Sequence, residues 1–482
     1  MDEKLAIFGG KPVREKKLFY GHQCIDEEDI QAVDDVLRGD YITCGPYVEQ
    51  LEKELAKKVN AKYAVAVSNG TAALHCACLA IELKEGDEVI TTPMTFAASA
   101  NCVRYCGATV VFVDINPETY NIDPDEIEKK ITPKTKAVIA VDFTGQAVEH
   151  NRIREICNKH HIYFIEDAAH AIGTKYDGKP IGSLADLTCF SFHPVKTVTC
   201  GEGGAVATND EQLYKKLVLA HTHGITHNEL EVNEGPWYYE MISLGYNYRL
   251  TDFQAALLLS QLKKLDKFKA RRQEIVKKYN EAFKDIPEVI VQKEIPESDT
   301  CRHLYIIQLR LDKLKCSRRE FFDAMCAEGI QPQVHYVPVY WFPYYRHLGY
   351  EKGLCPRAEE IYKGIMSIPL YPTMTNRDVE DVIAVVKKIT NAYKMSGEDC
   401  MNKVLLLGST GMLGQALKNT LENDGLEVAG VARENADYNL DLTNDTELKK
   451  CVNKFSPDVI INASANVDID SCEKDSGGGY SD

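Results

Sequence analysis

The chain has 482 residues, 44% hydrophobic and 27% charged, with a formal net charge of −16. That is ordinary for a globular protein of about two to four domains. The acidic balance argues against nucleic acid or an anionic membrane as a general partner, because either needs a basic field.

The first residues, "MDEKLAIFGGKPVREKK", hold no apolar signal core, and no apolar run approaches the length of a membrane span. A cytoplasmic location is expected. The sixteen cysteines form no paired C-x-x-C set: Cys76 and Cys78 make a C-x-C, and Cys102 and Cys106 lie four apart. Reduced thiols are expected, with no metal site.

Up to about residue 210, short apolar runs alternate with helix-like segments. Strands are predicted over Tyr63–Val67, Glu88–Thr91, Val110–Val113, Ala137–Val141, Tyr163–Ile165 and Leu187–Phe190. "TAALHCACLAIEL" and "FAASANCVRYCG" read as helices between them. Such alternation implies an α/β fold with a large, mainly parallel sheet covered on both faces. Ligands then bind beyond the carboxyl ends of the strands. From residue 251 a long amphipathic helix, "DFQAALLLSQLKKLDKFKARRQEIVKKYNEAF", opens a smaller α+β region, with a strand in "HLYIIQLRL" and helices in "SRREFFDAMCAEGI" and "RDVEDVIAVVKKITNAYKM". "KVLLLGSTGMLGQALKNTLENDGLEVAGVA" then reads as a fresh strand, glycine turn, helix and strand. The expected domains are 1–250, 251–395, a linker 396–402, a partial Rossmann-like unit 403–474 and a loose tail 475–482.

Three features in the first domain point to one cofactor. "SNGTAAL" follows a strand and opens a helix, so Gly70, Thr71 and Ala72 offer backbone N–H groups and a hydroxyl to a phosphate. An ordinary helix cap would read the same way. Asp167 ends the apolar strand in "YFIEDAAHA"; Glu166 beside it should point to the opposite face, so only Asp167 is assigned inward. Lys196, twenty-nine residues on, stands between the apolar "LTCFSF" and the turn "GEGG", where glycines permit close backbone approach. Ser191 offers a further hydroxyl. Burial lowers the pKa of a lysine, and the neutral amine attacks an aldehyde. Phosphate donors, an acid to pair a ring nitrogen and an amine together match pyridoxal 5′-phosphate (PLP).

The ordered motifs "SNGTAALH", "TPMTFAASANCV", "FIEDAAHAIG", "FSFHPVKTVTCGEGGAV" and "LGYNYRLTDFQAAL" resemble those of the DegT/StrS sugar-nucleotide aminotransferases, over about residues 5 to 392. The resemblance implies the fold-type-I aminotransferase architecture and a homodimer with shared sites. It makes Lys196 the Schiff-base lysine and general acid and base, Asp167 the partner of the ring nitrogen, and Thr71, Ala72 and Ser191 the phosphate holders. Phe96 stands where the family stacks an aromatic on the ring; the alternative for it is plain core packing. His170 occupies a position often held by Gln, near the phenolic oxygen. Asn247 matches the residue that reaches the phosphate from the other subunit. Related 3-dehydratases carry histidine at the lysine position, so Lys196 points to transamination, with glutamate as the donor. "GIQPQVHYVPVYWFPYY" resembles the substrate side of UDP-sugar 4-aminotransferases of the pseudaminic-acid pathway. It offers His335 and Tyr336, with Tyr20, as sugar or phosphate contacts; packing is the alternative. The implied substrate is a UDP-linked 4-keto-6-deoxy-N-acetyl-hexosamine. Other readings are a GDP- or dTDP-linked keto-sugar, or a dehydratase or non-catalytic relative.

Gly408, Gly411 and Gly414 follow a strand and open a helix, the setting of an NAD(P) pyrophosphate site. This segment resembles the start of dTDP-4-dehydrorhamnose reductases. The Tyr-x-x-x-Lys of that chemistry does not occur before Asp482, so no reductase activity is expected.

Overall fold

A computed structural model describes residues 4–228, 230–232, 234–395, 403–424 and 426–464. The predicted linker 396–402 and tail 475–482 lie outside the described residues, as do the last ten residues, 465–474, of the predicted partial unit. The chain divides into two compact units, Met1–Lys394 and Met395–Asp482.

The first unit is built on a seven-stranded sheet: β1 (Tyr63–Val67), β2 (Glu88–Thr91), β3 (Thr109–Phe112), β4 (Thr135–Val141), β5 (Tyr163–Asp167), β6 (Leu187–Ser191) and β7 (Gly204–Thr208). Their order is β1-β7-β6-β5-β4-β2-β3. Strands β2 to β6 pair in parallel, and β7 runs antiparallel to both β6 and β1. Side chains alternate between two cores. Val65, Val89, Ile139, Ile165 and Leu187 join one cluster with α1 (Gly70–Ala80) and α2 (Ala98–Tyr105). Phe164, Val138 and Ile90 face the other side. A sheet buried on both faces needs such unbroken apolar strands, and this parity fixes where β5 aims its two terminal acids.

The 32-residue helix α3 (Asp252–Phe283) links two cores. Its first half, with Leu258, Leu262 and Leu265, packs on the sheet. Its second half, with Ile275, Tyr279 and Phe283, packs on the antiparallel sheet β8 (Val289–Val291), β9 (Tyr305–Leu309) and β10 (Ile365–Ile368), together with α4 (Arg318–Ala327) and α5 (Asn376–Tyr393). Leu5 and Leu18, from the start of the chain, also pack into this smaller core.

The second unit has a parallel sheet of β11 (Lys403–Leu407), β12 (Glu427–Ala432), β13 (Tyr438–Asn439) and β14 (Val459–Asn462), ordered β13-β12-β11-β14, with helices α6 (Met412–Asn423) and α7 (Asp445–Phe455). Leu405, Leu407, Val431 and Phe455 form its core. No helix among the described residues is long and apolar enough to cross a membrane. The described cysteines are all free.

Candidate active site

A cavity of about 750 Å³ opens at the carboxyl ends of β4, β5 and β6. Gly70, Thr71, Ala72, Phe96, Asp167, His170, Ser191, Lys196, Tyr20, His335 and Tyr336 all line it. The ends of the parallel strands supply Asp167 and Ser191 and lead to Lys196, while Tyr20 and Tyr336, 316 residues apart, reach the same cavity from outside this sheet.

Asp167 closes β5 and is 5% exposed. Its Oδ2 accepts the Ser99 hydroxyl at 2.6 Å, and its Oδ1 accepts the Ala169 N–H at 3.1 Å. Burial raises its pKa, against the pull of these donors and of Lys196. A carboxyl in that state has room for one more cationic donor, which would restore its charge. Glu166, one residue earlier, points to the opposite face and lies 2.7 Å from His150.

Lys196 sits in the loop joining β6 to β7. The Phe192 N–H donates to the Gly203 carbonyl at 2.8 Å and closes the loop, while the Lys196 N–H donates to the His193 carbonyl at 2.9 Å. Part of its side chain borders the open cavity, yet burial pushes its pKa down to about 8, with the Asp167 charge opposing. The glycine turn after it serves close approach: a Cβ on Gly204 would stand 2.4 Å from the Asn69 carbonyl oxygen.

That contact sets β7 against the head of α1, where the phosphate donors stand. A Cβ on Gly70 would come within 2.8 Å of the Ser191 Cβ, so glycine keeps a small cradle open between the two. Asn69 caps the helix, its Oδ1 accepting the Ala72 N–H at 2.8 Å. The cap is an asparagine, not a serine or threonine. It occupies the Ala72 donor, which leaves Gly70, Thr71 and Ser191 as the phosphate side of the cavity.

Three imidazoles stand on the opposite wall. His170 and His303 have ring centroids 4.6 Å apart, and Tyr20 packs on His335 at 5.1 Å. The Tyr336 hydroxyl lies 3.3 Å from Nε2 of His170, and Nδ1 of His335 lies 2.8 Å from the Ser367 hydroxyl. Burial and the nearby Lys196 hold His170 well below the usual histidine pKa and His335 at about 4. His303 is also held far down, by burial first and by His170 next. All three are neutral hydrogen-bonding groups near pH 7. Phe96 is 62% exposed at the cavity mouth, which removes the core-packing alternative for it. Asn247 does not line this cavity; it is exposed beside Tyr246 and Tyr248.

Sequence reasoning missed Ser99, His303 and Asn69. Ser99 stands at the head of α2, three residues after Phe96, inside the motif "TPMTFAASANCV", so its place beside Asp167 had a signal. Asn69 had one too, as the Asn before a helix. His303 enters from the small region through a long-range fold contact and had none.

The strand order, the lone antiparallel strand and the lysine loop after β6 are those of fold-type-I aminotransferases. Residues 23–387 match the DegT/DnrJ/EryC1/StrS aminotransferase family, and the chain belongs to it. Residues 401–480 match the RmlD substrate binding domain. The chain is 39% identical over 381 residues to the UDP-4-amino-4,6-dideoxy-N-acetyl-beta-L-altrosamine transaminase of Campylobacter jejuni, covering 78% of this chain and 99% of that one. Helicobacter pylori PseC, an aminotransferase of pseudaminic-acid biosynthesis, superposes with a TM-score of 0.73 at 32% identity, covering 78% of this chain and all of the other. The PLP form of Streptococcus pneumoniae Spr1654 gives a TM-score of 0.74 at 30% identity, with 78% and 99% covered.

Proposed function

We propose that this chain transfers an amino group from glutamate to C4 of a UDP-linked 4-keto-6-deoxy-N-acetyl-hexosamine, as a cytoplasmic homodimer that uses PLP. The observation that carries the reading is the pairing of a lowered-pKa lysine with a buried carboxylate across one cavity. When bound, PLP supplies an aldehyde that captures amines and a ring that draws electrons from the adjacent carbon. The cavity fits it: Gly70, Thr71 and Ser191 form a cradle for a phosphate, and Asp167 awaits a cationic N–H.

Each residue then has a task. With a pKa of about 8, Lys196 is neutral in about a tenth of molecules at pH 7, enough to act as a nucleophile and to take a proton from the Cα of the donor. Ser99 and the Ala169 N–H hold the Asp167 carboxylate in line. Neutral His170 gives a hydrogen bond near the cofactor's phenolic oxygen, while Tyr20, His335 and Tyr336 face the sugar. Asn247 serves the partner subunit's phosphate. In the second unit, the turn at Gly408, Gly411 and Gly414 is read as a dinucleotide pyrophosphate site. A 3-dehydratase reading is disfavoured by the lysine at position 196.

The test is direct. The protein mixed with PLP should turn yellow, and borohydride should bleach it and fix the cofactor to the peptide containing Lys196. Lys196→Ala should still bind PLP but lose turnover by about 10³-fold or more in an assay of UDP-, dTDP- and GDP-linked 4-keto-sugars with glutamate. Label on any other lysine, or full activity in the variant, would end this assignment; turnover of only a GDP- or dTDP-sugar would replace the UDP reading.

A further inference from the structure

Behind the sheet, on the face away from the cavity, three ionisable side chains are buried together. Asp142, His150 and Glu166 are 0%, 3% and 0% exposed, and an oxygen or nitrogen of each lies within 4.8 Å of the others. Nε2 of His150 lies 2.7 Å from Oε1 of Glu166, close but off the line of a hydrogen bond. Glu166 Oε2 accepts the Thr188 hydroxyl at 2.8 Å, and Asp142 Oδ1 accepts the Val148 N–H at 2.9 Å. Phe164 and Tyr176 pack around the imidazole, with ring centroids at 5.4 and 5.1 Å.

The group is wired to the strand that ends in Asp167. Glu166 precedes Asp167 in β5, and the Asp142 N–H donates to the Asp167 carbonyl at 3.1 Å. Thr188 pairs with Glu166 across β6. Two carboxylates one residue apart in a dry sheet repel, and each raises the other's proton affinity. A buried charge persists only where something compensates it.

We infer that Asp142, His150 and Glu166 are a charge-balancing, positioning triad, in which His150 compensates Glu166 so that Asp167 is the one uncompensated anion at the end of β5. The inference rests on the reading of Asp167 as the partner of the cofactor's ring nitrogen. The triad draws Glu166 from β5, Asp142 from the turn after β4 and His150 from the helix His150–His160, with Asp167 one residue on at the end of β5. Lys196 stands across the sheet. The two acids respond as a sharing pair should. Burial and the Glu166 charge drive Asp142 to its protonated form, while burial of Glu166 is outweighed by His150 together with the hydrogen bonds of Asp142 and Thr188, which keep Glu166 ionised. With His150 paired to Glu166 and Asp142 in its protonated form, the triad carries no net charge.

The prediction separates charge balance from mere packing. His150→Asn leaves a net negative charge behind Asp167, so PLP affinity, followed by absorbance on titration into apo-protein, should fall about tenfold, the equivalent of one pKa unit. Asp142→Asn alone should stay within about threefold of wild type, because it replaces a neutral group by a neutral one, and Glu166→Gln alone should not weaken PLP beyond about threefold, because it takes an anion away from behind Asp167. The double variant His150→Asn with Glu166→Gln should recover to within about threefold. Thermal unfolding of the same four apo-proteins gives a readout independent of PLP: the double variant should melt above His150→Asn. If His150→Asn does not fold, Glu166→Gln still decides, since a tenfold loss there overturns the inference. A double variant no better than His150→Asn in both readouts would also overturn it. So would a stoichiometric metal ion removed from wild type by a chelator with loss of melting temperature, because a cation would then be the neutraliser. A wild-type protein that binds no PLP at all would instead defeat the cofactor reading, leaving the apo-protein cycle to judge the triad.

Discussion

Lys196 carries a pH signature that does not depend on any ligand. Its ammonium is driven from the usual lysine value near 10.5 to about 8 by burial. Below pH 8 the folded apo-protein therefore keeps a poorly solvated charge that the unfolded chain solvates well. Between about pH 8 and 10.5 the folded state has released this proton and the unfolded state has not, so the penalty fades as pH rises. Lys196→Met removes the penalty outright. The stability of the variant minus that of wild type should shrink by about 2 kcal/mol from pH 7.5 to 10, measured by urea unfolding of the apo-proteins. A pH-independent difference would show a solvated lysine. At this scale the sequence was informative wherever chemistry is written into one residue type at a strand end. Asp167, Ser191 and Lys196 each follow an apolar run, and alternation along β5 assigned Asp167 to the cavity and Glu166 to the far face. It was silent on His303 and on the triad's His150. Their partners lie in other elements, and a lone histidine carries no mark of what it will be folded against.

Elements were legible in proportion to their apolar length. The 32 residues of α3 and the strands β1 and β2 have the bounds read from the sequence, because long amphipathic or unbroken apolar runs leave no choice of period. Strand β7, "GAVAT", was not seen: five small residues suit a strand, a turn or a helix equally, and only pairing with β1 and β6 decides. The glycine turn of the second unit was visible through its spacing, and its geometry is demanding. Gly408 has a φ of 76°, and a Cβ on Gly414 would lie 2.1 Å from the Gly408 carbonyl oxygen. Gly414→Ala must therefore spread the turn from the head of α6. If the turn seats a dinucleotide, the full-length protein should enhance NADPH fluorescence and Gly414→Ala should abolish the enhancement, with the PLP absorbance of the first unit unchanged. No enhancement by wild type would remove the dinucleotide from the account.

For the whole molecule the exposed apolar surface is the strongest guide. Trp237, Met241, Ile242 and Leu244 are 72%, 64%, 60% and 79% exposed within eight residues of chain, and Asn247 follows directly. A concentration of large apolar side chains in water marks a contact surface. Here it adjoins a residue assigned to a phosphate yet absent from its own cavity. A second copy of the chain satisfies both facts at once, covering the segment and receiving Asn247. Two variants test the two halves of this argument. Leu244→Asp places a carboxylate in the contact and should convert a particle of about twice 54.1 kDa into one of 54.1 kDa by sedimentation, with loss of PLP retention. Asn247→Ala should leave the dimer intact and weaken PLP about tenfold, the size expected for one hydrogen bond to a charged group. A dimer that survives Leu244→Asp would place the interface elsewhere. A dimer with unchanged PLP affinity in Asn247→Ala would leave assembly and cofactor binding uncoupled, because the only group proposed to cross between subunits would then contribute nothing to the site.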